Sequence, residues 1–135
     1  MNPIPLTTEL QVLAWSVVLL IVHILAQGGA ATASLGLAYN AGARDGNRKP
    51  EGVMAPRLAR ALNNLLETYP AFVALALALA LTGKSGGMGA TGAIAWIIGR
   101  ILYLPLYAFG VPYLRTLAWG LSIVGLLMMF ARLIG

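Results

Sequence analysis

Arg57, Arg60, Asn64 and Glu67 are the first residues of this sequence whose types and spacing could do chemistry together. They stand in and around "RALNNLLETYP", which runs straight into "AFVALALALAL", a stretch with the composition of a lipid-embedded helix. An ionisable or amide side chain at membrane depth costs a few kcal/mol unless it finds a partner or a water-filled cavity, so these residues require a reason. At about 100° per residue the four fall on one stripe of a helix, with Asn63 to one side. Further along, Trp96, Arg100, Tyr103 and Tyr107 form a second stripe in the same way. A guanidinium fork matches a carboxylate and a glutamate can hold an ammonium group, so the two stripes together could grip a charged, peptide-like ligand. The same residues admit a plainer use, in which Arg60 or Arg100 neutralises Glu67 and holds the helices in register. Residue chemistry alone leaves both open.

The elements that must carry these stripes follow from composition. Of 135 residues, 59% are hydrophobic and only 10% charged, which marks an integral membrane protein of one domain spanning 1–135. The net charge of +5 belongs to loops and helix ends, where it sets topology and attracts anionic lipid; no nucleic-acid module is visible. Absence of cysteine excludes a disulfide framework, a thiolate metal site and a cysteine nucleophile, so any thiol chemistry needs a thiol brought by a ligand. "MNPIPLTTEL" has no basic leader, and the first apolar run reads as a retained helix.

Four spanning helices are expected, at about 8–39, 56–82, 90–108 and 112–134, giving an all-α bundle. The first is uncharged from Leu10 to Ala43, and Gly28, Gly29, Ala30, Ala31, Ala33 and Ser34 offer it a small-residue face for close packing. Glycine, proline and most of the charge collect in "NAGARDGNRKPEGVMAP", a polar loop, and "GKSGGMG" is a tight turn. Pro56 suits a first helical turn, Pro105 interrupts the third span late, and Pro112 starts the fourth. Arg44, Arg48, Lys49 and Arg57 place the first polar loop on the cytoplasmic side, with Arg115 near the same face and both termini on the other; Lys84 and Arg132 lie on the terminal side. That arrangement gathers the start of the second span, the end of the third and the start of the fourth at one membrane face.

Other polar residues read more simply. His23 and Gln27, an i, i+4 pair in the first span, could relay a proton or touch a ligand, but a single histidine without metal-ligand spacing reads as a packing hydrogen bond, and no metal site is expected. Arg44 and Asp45 close the polar loop or hang over a pocket mouth, the first being preferred. Met128, Met129, Trp119 and Phe130 read as lipid-facing or core-filling residues.

The stretch "RALNNLLETYP", followed by "GRILYLPLYAFGVPYLR", resembles the MAPEG family, the membrane-associated proteins in eicosanoid and glutathione metabolism, and its small bacterial members in particular. The resemblance covers both stripes, the four-helix layout and the chain length. It implies a homotrimer in a bacterial inner membrane, with glutathione as thiol co-substrate between subunits near the cytoplasmic face. Carried over by position, it implies glutathione contacts at Arg60, Asn64, Glu67, Arg100, Tyr103 and Tyr107, and a catalytic arginine at Arg115. Thr68 stands where several relatives have tyrosine, with Tyr69 one residue later. The implied activity is a glutathione-dependent transferase or peroxidase acting on lipophilic electrophiles or lipid hydroperoxides. A non-catalytic lipid-binding protein or a small multidrug-type exporter is the alternative. For Arg115 the plainer role is a topology-setting arginine on lipid phosphate.

Overall fold

The computed structural model describes residues 2–135, and every long segment in it is helical. Helix α1 (Thr8–Leu35) is started by Thr7, whose hydroxyl accepts the Leu10 N–H at 3.2 Å. It stops at Gly36, whose φ of 88° only glycine adopts easily, and a five-residue helix α2 (Leu37–Ala41) follows. The first helix, expected over 8–39, is thus divided at that glycine. After the polar loop come α3 (Met54–Leu81), α4 (Met88–Ala108) and α5 (Pro112–Ile134). Pro112 sits in the first turn of α5, where its missing N–H has no intrahelical role. Pro105 does not interrupt α4, which continues three residues beyond it to Ala108.

Helices α1, α3, α4 and α5 are each long and apolar enough to cross a membrane. The chain is an integral membrane four-helix bundle. Exposed Trp15, Leu25, Leu77, Ile98, Leu117 and Leu127 cover its outer surface, a pattern that lipid tolerates and water does not. At the centre the fully buried Trp96 ring stacks on Phe72 with centroids 3.8 Å apart and meets the Tyr69 ring edge-on at 5.9 Å. Leu65, Leu79 and Met129 complete this core.

Helices approach most closely along α4 and α5. A Cβ added at Gly92 would lie 2.5 Å from the Gly125 carbonyl oxygen, and one at Gly99 would lie 2.5 Å from that of Ala118. Only glycine permits backbones to come so near, and the resulting dispersion contact replaces the hydrophobic drive that lipid removes. The small-residue face of α1 does not serve this purpose within the chain: a Cβ at Gly28 or Gly29 would meet nothing within 4 Å.

One end of the bundle is fastened by charges that the apolar runs conceal. Glu9, fully buried at the start of α1, accepts the Gly86 N–H at 2.9 Å in the α3–α4 turn. Lys84 donates to the Leu133 carbonyl at 2.7 Å, and Arg132 Nε donates to the Lys84 carbonyl at 2.9 Å. Three separate segments are tied there by side chains bonded to backbone.

Candidate functional site

The opposite end gathers the two stripes. The first turns of α3 bring Arg57, Arg60 and Asn64 against the last turns of α4, because Arg57 Nη1 donates to the Ala108 carbonyl at 3.2 Å and packs against Gly110. The start of α5 closes the third side. Between them lies a recess of about 240 Å3 lined by Asn64, Tyr103, Tyr107, Arg115, Thr116 and Trp119.

Behind this recess sits Arg100, fully buried on α4. Its Nη1 donates to the Asn64 side-chain oxygen at 2.7 Å, and its guanidinium carbon lies 4.6 Å from the Tyr103 ring centroid. Nε and Nη2 are buried and have no hydrogen-bond partner among the described residues. Each buried donor left in that condition costs about 1–3 kcal/mol. Tyr107 is held from two sides: Arg60 Nε donates to its hydroxyl at 2.8 Å, and Arg115 lies over its ring at 4.6 Å. Tyr103 and Tyr107 touch through tilted rings 5.5 Å apart. A cation above one phenol and a second cation on its hydroxyl make the recess strongly electropositive.

Six of the seven residues singled out for binding and catalysis therefore meet here, directly or through one neighbour. Glu67 is the exception. It is exposed on the outer face of the chain, while Arg60 bonds Tyr107 and Arg100 bonds Asn64. No hydrogen bond joins an arginine to Glu67 among the described residues, and its carboxylate acts on Arg100 and Tyr103 only through space.

Sequence reasoning missed two lining residues. Trp119 reads as lipid-facing or core-filling, but it lines the recess with Thr116. The signal was present in the i, i+4 spacing from Arg115 to Trp119, which puts both on one face of α5. Tyr69 turns away from the site: its hydroxyl shares a 2.7 Å hydrogen bond with Ser16 of α1. His23 lacks the packing hydrogen bond expected of it, since both ring nitrogens are buried without partners among the described residues. Arg44 Nε donates to the Asn40 carbonyl at 2.8 Å, so its hydrogen bond closes the loop on α2 instead of on Asp45.

Arginine, tyrosine and asparagine gathered at one end of a four-helix membrane bundle agree with the resemblance noted in the two stripes. A family model described as "MAPEG family" matches residues 12–135, nearly the whole chain. The chain belongs to the MAPEG family. Comparisons with curated proteins and with solved structures returned no match. Family membership covers both stripes, all four spanning helices and the recess, so the MAPEG architecture and the polar end belong to one unit.

Proposed function

We propose that the recess between α3, α4 and α5 binds glutathione and activates its thiol for attack on a lipophilic electrophile. The observation that carries this reading is Arg100, a fully buried guanidinium with two nitrogens, Nε and Nη2, lacking partners among the described residues beside an electropositive recess. The Glu67 carboxylate acts on Arg100 only through space, so these donors stay unpaired, and a ligand carboxylate satisfies a guanidinium fork with two parallel hydrogen bonds. Glutathione supplies two carboxylates, an ammonium group and the thiol that this cysteine-free chain lacks.

In this mechanism Asn64 and Arg100 hold a carboxylate, while Glu67 holds the ammonium group. Arg115 faces the sulfur. A free thiol with a pKa near 8.5 is mostly protonated at neutral pH, and a nearby guanidinium at the partly dehydrated membrane boundary favours the thiolate. The thiol proton leaves to water. The sulfur then forms a bond to the electrophilic carbon as the leaving group departs with its electron pair. With a lipid hydroperoxide, two thiols supply two electrons, giving an alcohol, water and a disulfide.

Glu67 and Arg60 are exposed on the surface of the single chain, on a helix long and apolar enough to cross a membrane. Charges in that position need cover, so the reading includes a homotrimer in which a neighbouring subunit closes the site. It also includes a bacterial inner membrane, with the α2–α3 loop on the cytoplasmic side, where that loop's arginines and lysine favour it. An exporter built on one deep carboxylate fits less well, because Glu67 lies on the outer face of the bundle.

Calorimetry with glutathione, followed by conjugation of chlorodinitrobenzene, tests this reading. Binding, with a thiolate absorbance that grows on titration, is the expected result. No binding and no turnover with electrophiles or hydroperoxides would leave a lipid-binding role. A stable monomer by mass measurement in mild detergent would overturn the trimer.

A further inference from the structure

A second polar recess, of about 300 Å3, lies where α1, α2 and the following loop meet, and neither stripe contributes to it. Its polar lining is Gln27, Tyr39, Asn40, Arg44, Asn47 and Arg48, and none of the described residues lining it is acidic. Tyr39 organises this set. Its hydroxyl accepts the Arg48 N–H at 2.6 Å and donates to the Arg44 carbonyl at 3.1 Å, and its ring lies 4.8 Å from the Arg48 guanidinium carbon. Arg44 bonds through Nε to the Asn40 carbonyl, which leaves its outer Nη edge without an acceptor among the described residues.

The backbone here is unusual. Arg44 and Asn47 have φ of 59° and 51°, left-handed values that residues with a side chain adopt at a cost. Tyr39 bridges the backbone of Arg44 and Arg48 and so holds that conformation, with the two guanidinium groups on one recess. Two arginines lining one recess, with the amides of Gln27 and Asn47 beside them, offer more donors than a flat carboxylate can accept and suit a group with several acceptor oxygens in tetrahedral array. The recess is lined by Gln27, Ala31 and Leu35 of the last turns of α1 and then by α2 and the loop, at the polar end of a helix long and apolar enough to cross a membrane, where a headgroup phosphate is within reach.

We propose that this recess is a phosphate-binding site, which takes the phosphate of an anionic lipid headgroup or of a soluble phosphate ester. Its lining shares no residue with the recess between α3, α4 and α5, and the proposal does not rest on whether glutathione binds there. The test uses the full chain in mild detergent. Native mass spectrometry compares retention of phosphatidate and of phosphatidylcholine with the same acyl chains, and calorimetry measures inorganic phosphate.

The expected result is retention of phosphatidate over phosphatidylcholine by about tenfold or more, lost when Arg44→Ala and Arg48→Ala are combined. Phosphate heat in the wild type, abolished by the same pair without a phosphatidate preference, supports the site and assigns it to a soluble ester. Neither signal in the wild type overturns the proposal. Should the alanine pair lose its helical circular dichroism, two gentler variants decide. Tyr39→Phe keeps the ring but removes the hydroxyl bridge, and weakened binding with intact helicity is expected. Replacing both arginines by lysine keeps the charge but removes the forks. Undiminished binding in the lysine pair would overturn the site and leave only diffuse charge attraction.

Discussion

The two ends of the bundle use charged residues in opposite ways. Where α1 begins and α5 finishes, Lys84, Arg132 and Glu9 bond backbone groups of other segments, and the cations have carbonyl oxygens as acceptors. At the other end Arg57 also bonds a carbonyl oxygen, but Arg60, Arg100 and Arg115 are set against phenol groups and an amide, and Arg100 keeps two buried nitrogens without partners among the described residues. The first arrangement fastens chain segments, because a charged group bonded to a backbone group holds two elements together; of its charged groups only Glu9, through Oε1, has a buried atom without a partner among the described residues. The second leaves interaction capacity unused directly behind a recess, next to its lining residues Asn64 and Tyr103, where a ligand that shifts them could use it. Charge in a membrane protein thus does not by itself mark function. What its hydrogen-bonding groups are already doing separates a fastening from a site.

Replacing Arg115 would affect this comparison most. If it favours the thiolate by lowering a thiol pKa by about two units, its removal corresponds to about 2.7 kcal/mol, or roughly a hundredfold in thiolate formation. Arg115→Ala is therefore expected to abolish the thiolate absorbance of the glutathione complex and most conjugation, with glutathione affinity nearly intact. Stopped-flow absorbance separates the two quantities. Unchanged conjugation would make Arg115 a topology residue, similar in kind to the fastened end.

Glu67→Gln should have a smaller effect. It keeps shape but removes the charge partner of an ammonium group, and an affinity loss of about 1–3 kcal/mol is expected in calorimetry, without loss of folding. If assembly collapses while the isolated chain still folds, Glu67 belongs to a structural contact between chains, and the open end is less open than it looks.

The fold was legible because lipid simplifies the sequence: four apolar runs, separated by glycine, proline and charge, leave few alternatives. The site was legible in part because polar residues in such runs are rare, so that Arg100 and Asn64 stand out, and helical spacing brings each stripe together. Glu9 was not legible. A single carboxylate ahead of an apolar run looks like a solvent-facing helix start, and its partner is a backbone N–H at Gly86, 77 residues away. Glycines misled for a related reason. Gly28 and Gly29 show the same small-residue pattern as Gly92 and Gly99, but only packing geometry tells which helices approach. Tyr69 illustrates the precision involved, since one residue is about 100° of helix and that rotation carries it to Ser16.

At the fastened end, Glu9→Gln sharpens the contrast. The amide oxygen can still accept the Gly86 N–H, but the bond is no longer charge-assisted and the new amide NH2 enters the buried place of Oε1, which has no partner among the described residues. A stability loss of about 1 kcal/mol is expected, with glutathione affinity and conjugation unchanged. Thermal unfolding in detergent, run beside calorimetry, reads both. A change in affinity would mean that the ends communicate through the bundle.

Lys84→Met should have the smallest effect, and it tests whether the fastening is shared. Lys84 Nζ reaches the Leu133 carbonyl at 2.7 Å and the Gly135 carbonyl at 3.4 Å, so it closes the last turn of α5 onto the α3–α4 turn. Its charge is favourably placed at a helix C-terminus, but the residue is only half-buried, and screening limits such contributions. Arg132 remains on the Lys84 carbonyl whichever side chain stands at that position, because that acceptor is backbone. Methionine also keeps the apolar stem. The expected loss is about 0.5 kcal/mol, read as a small drop in unfolding midpoint together with faster hydrogen exchange confined to the last turn of α5. A loss as large as that of Glu9→Gln would show that the lysine holds this end alone, and that Arg132 follows it.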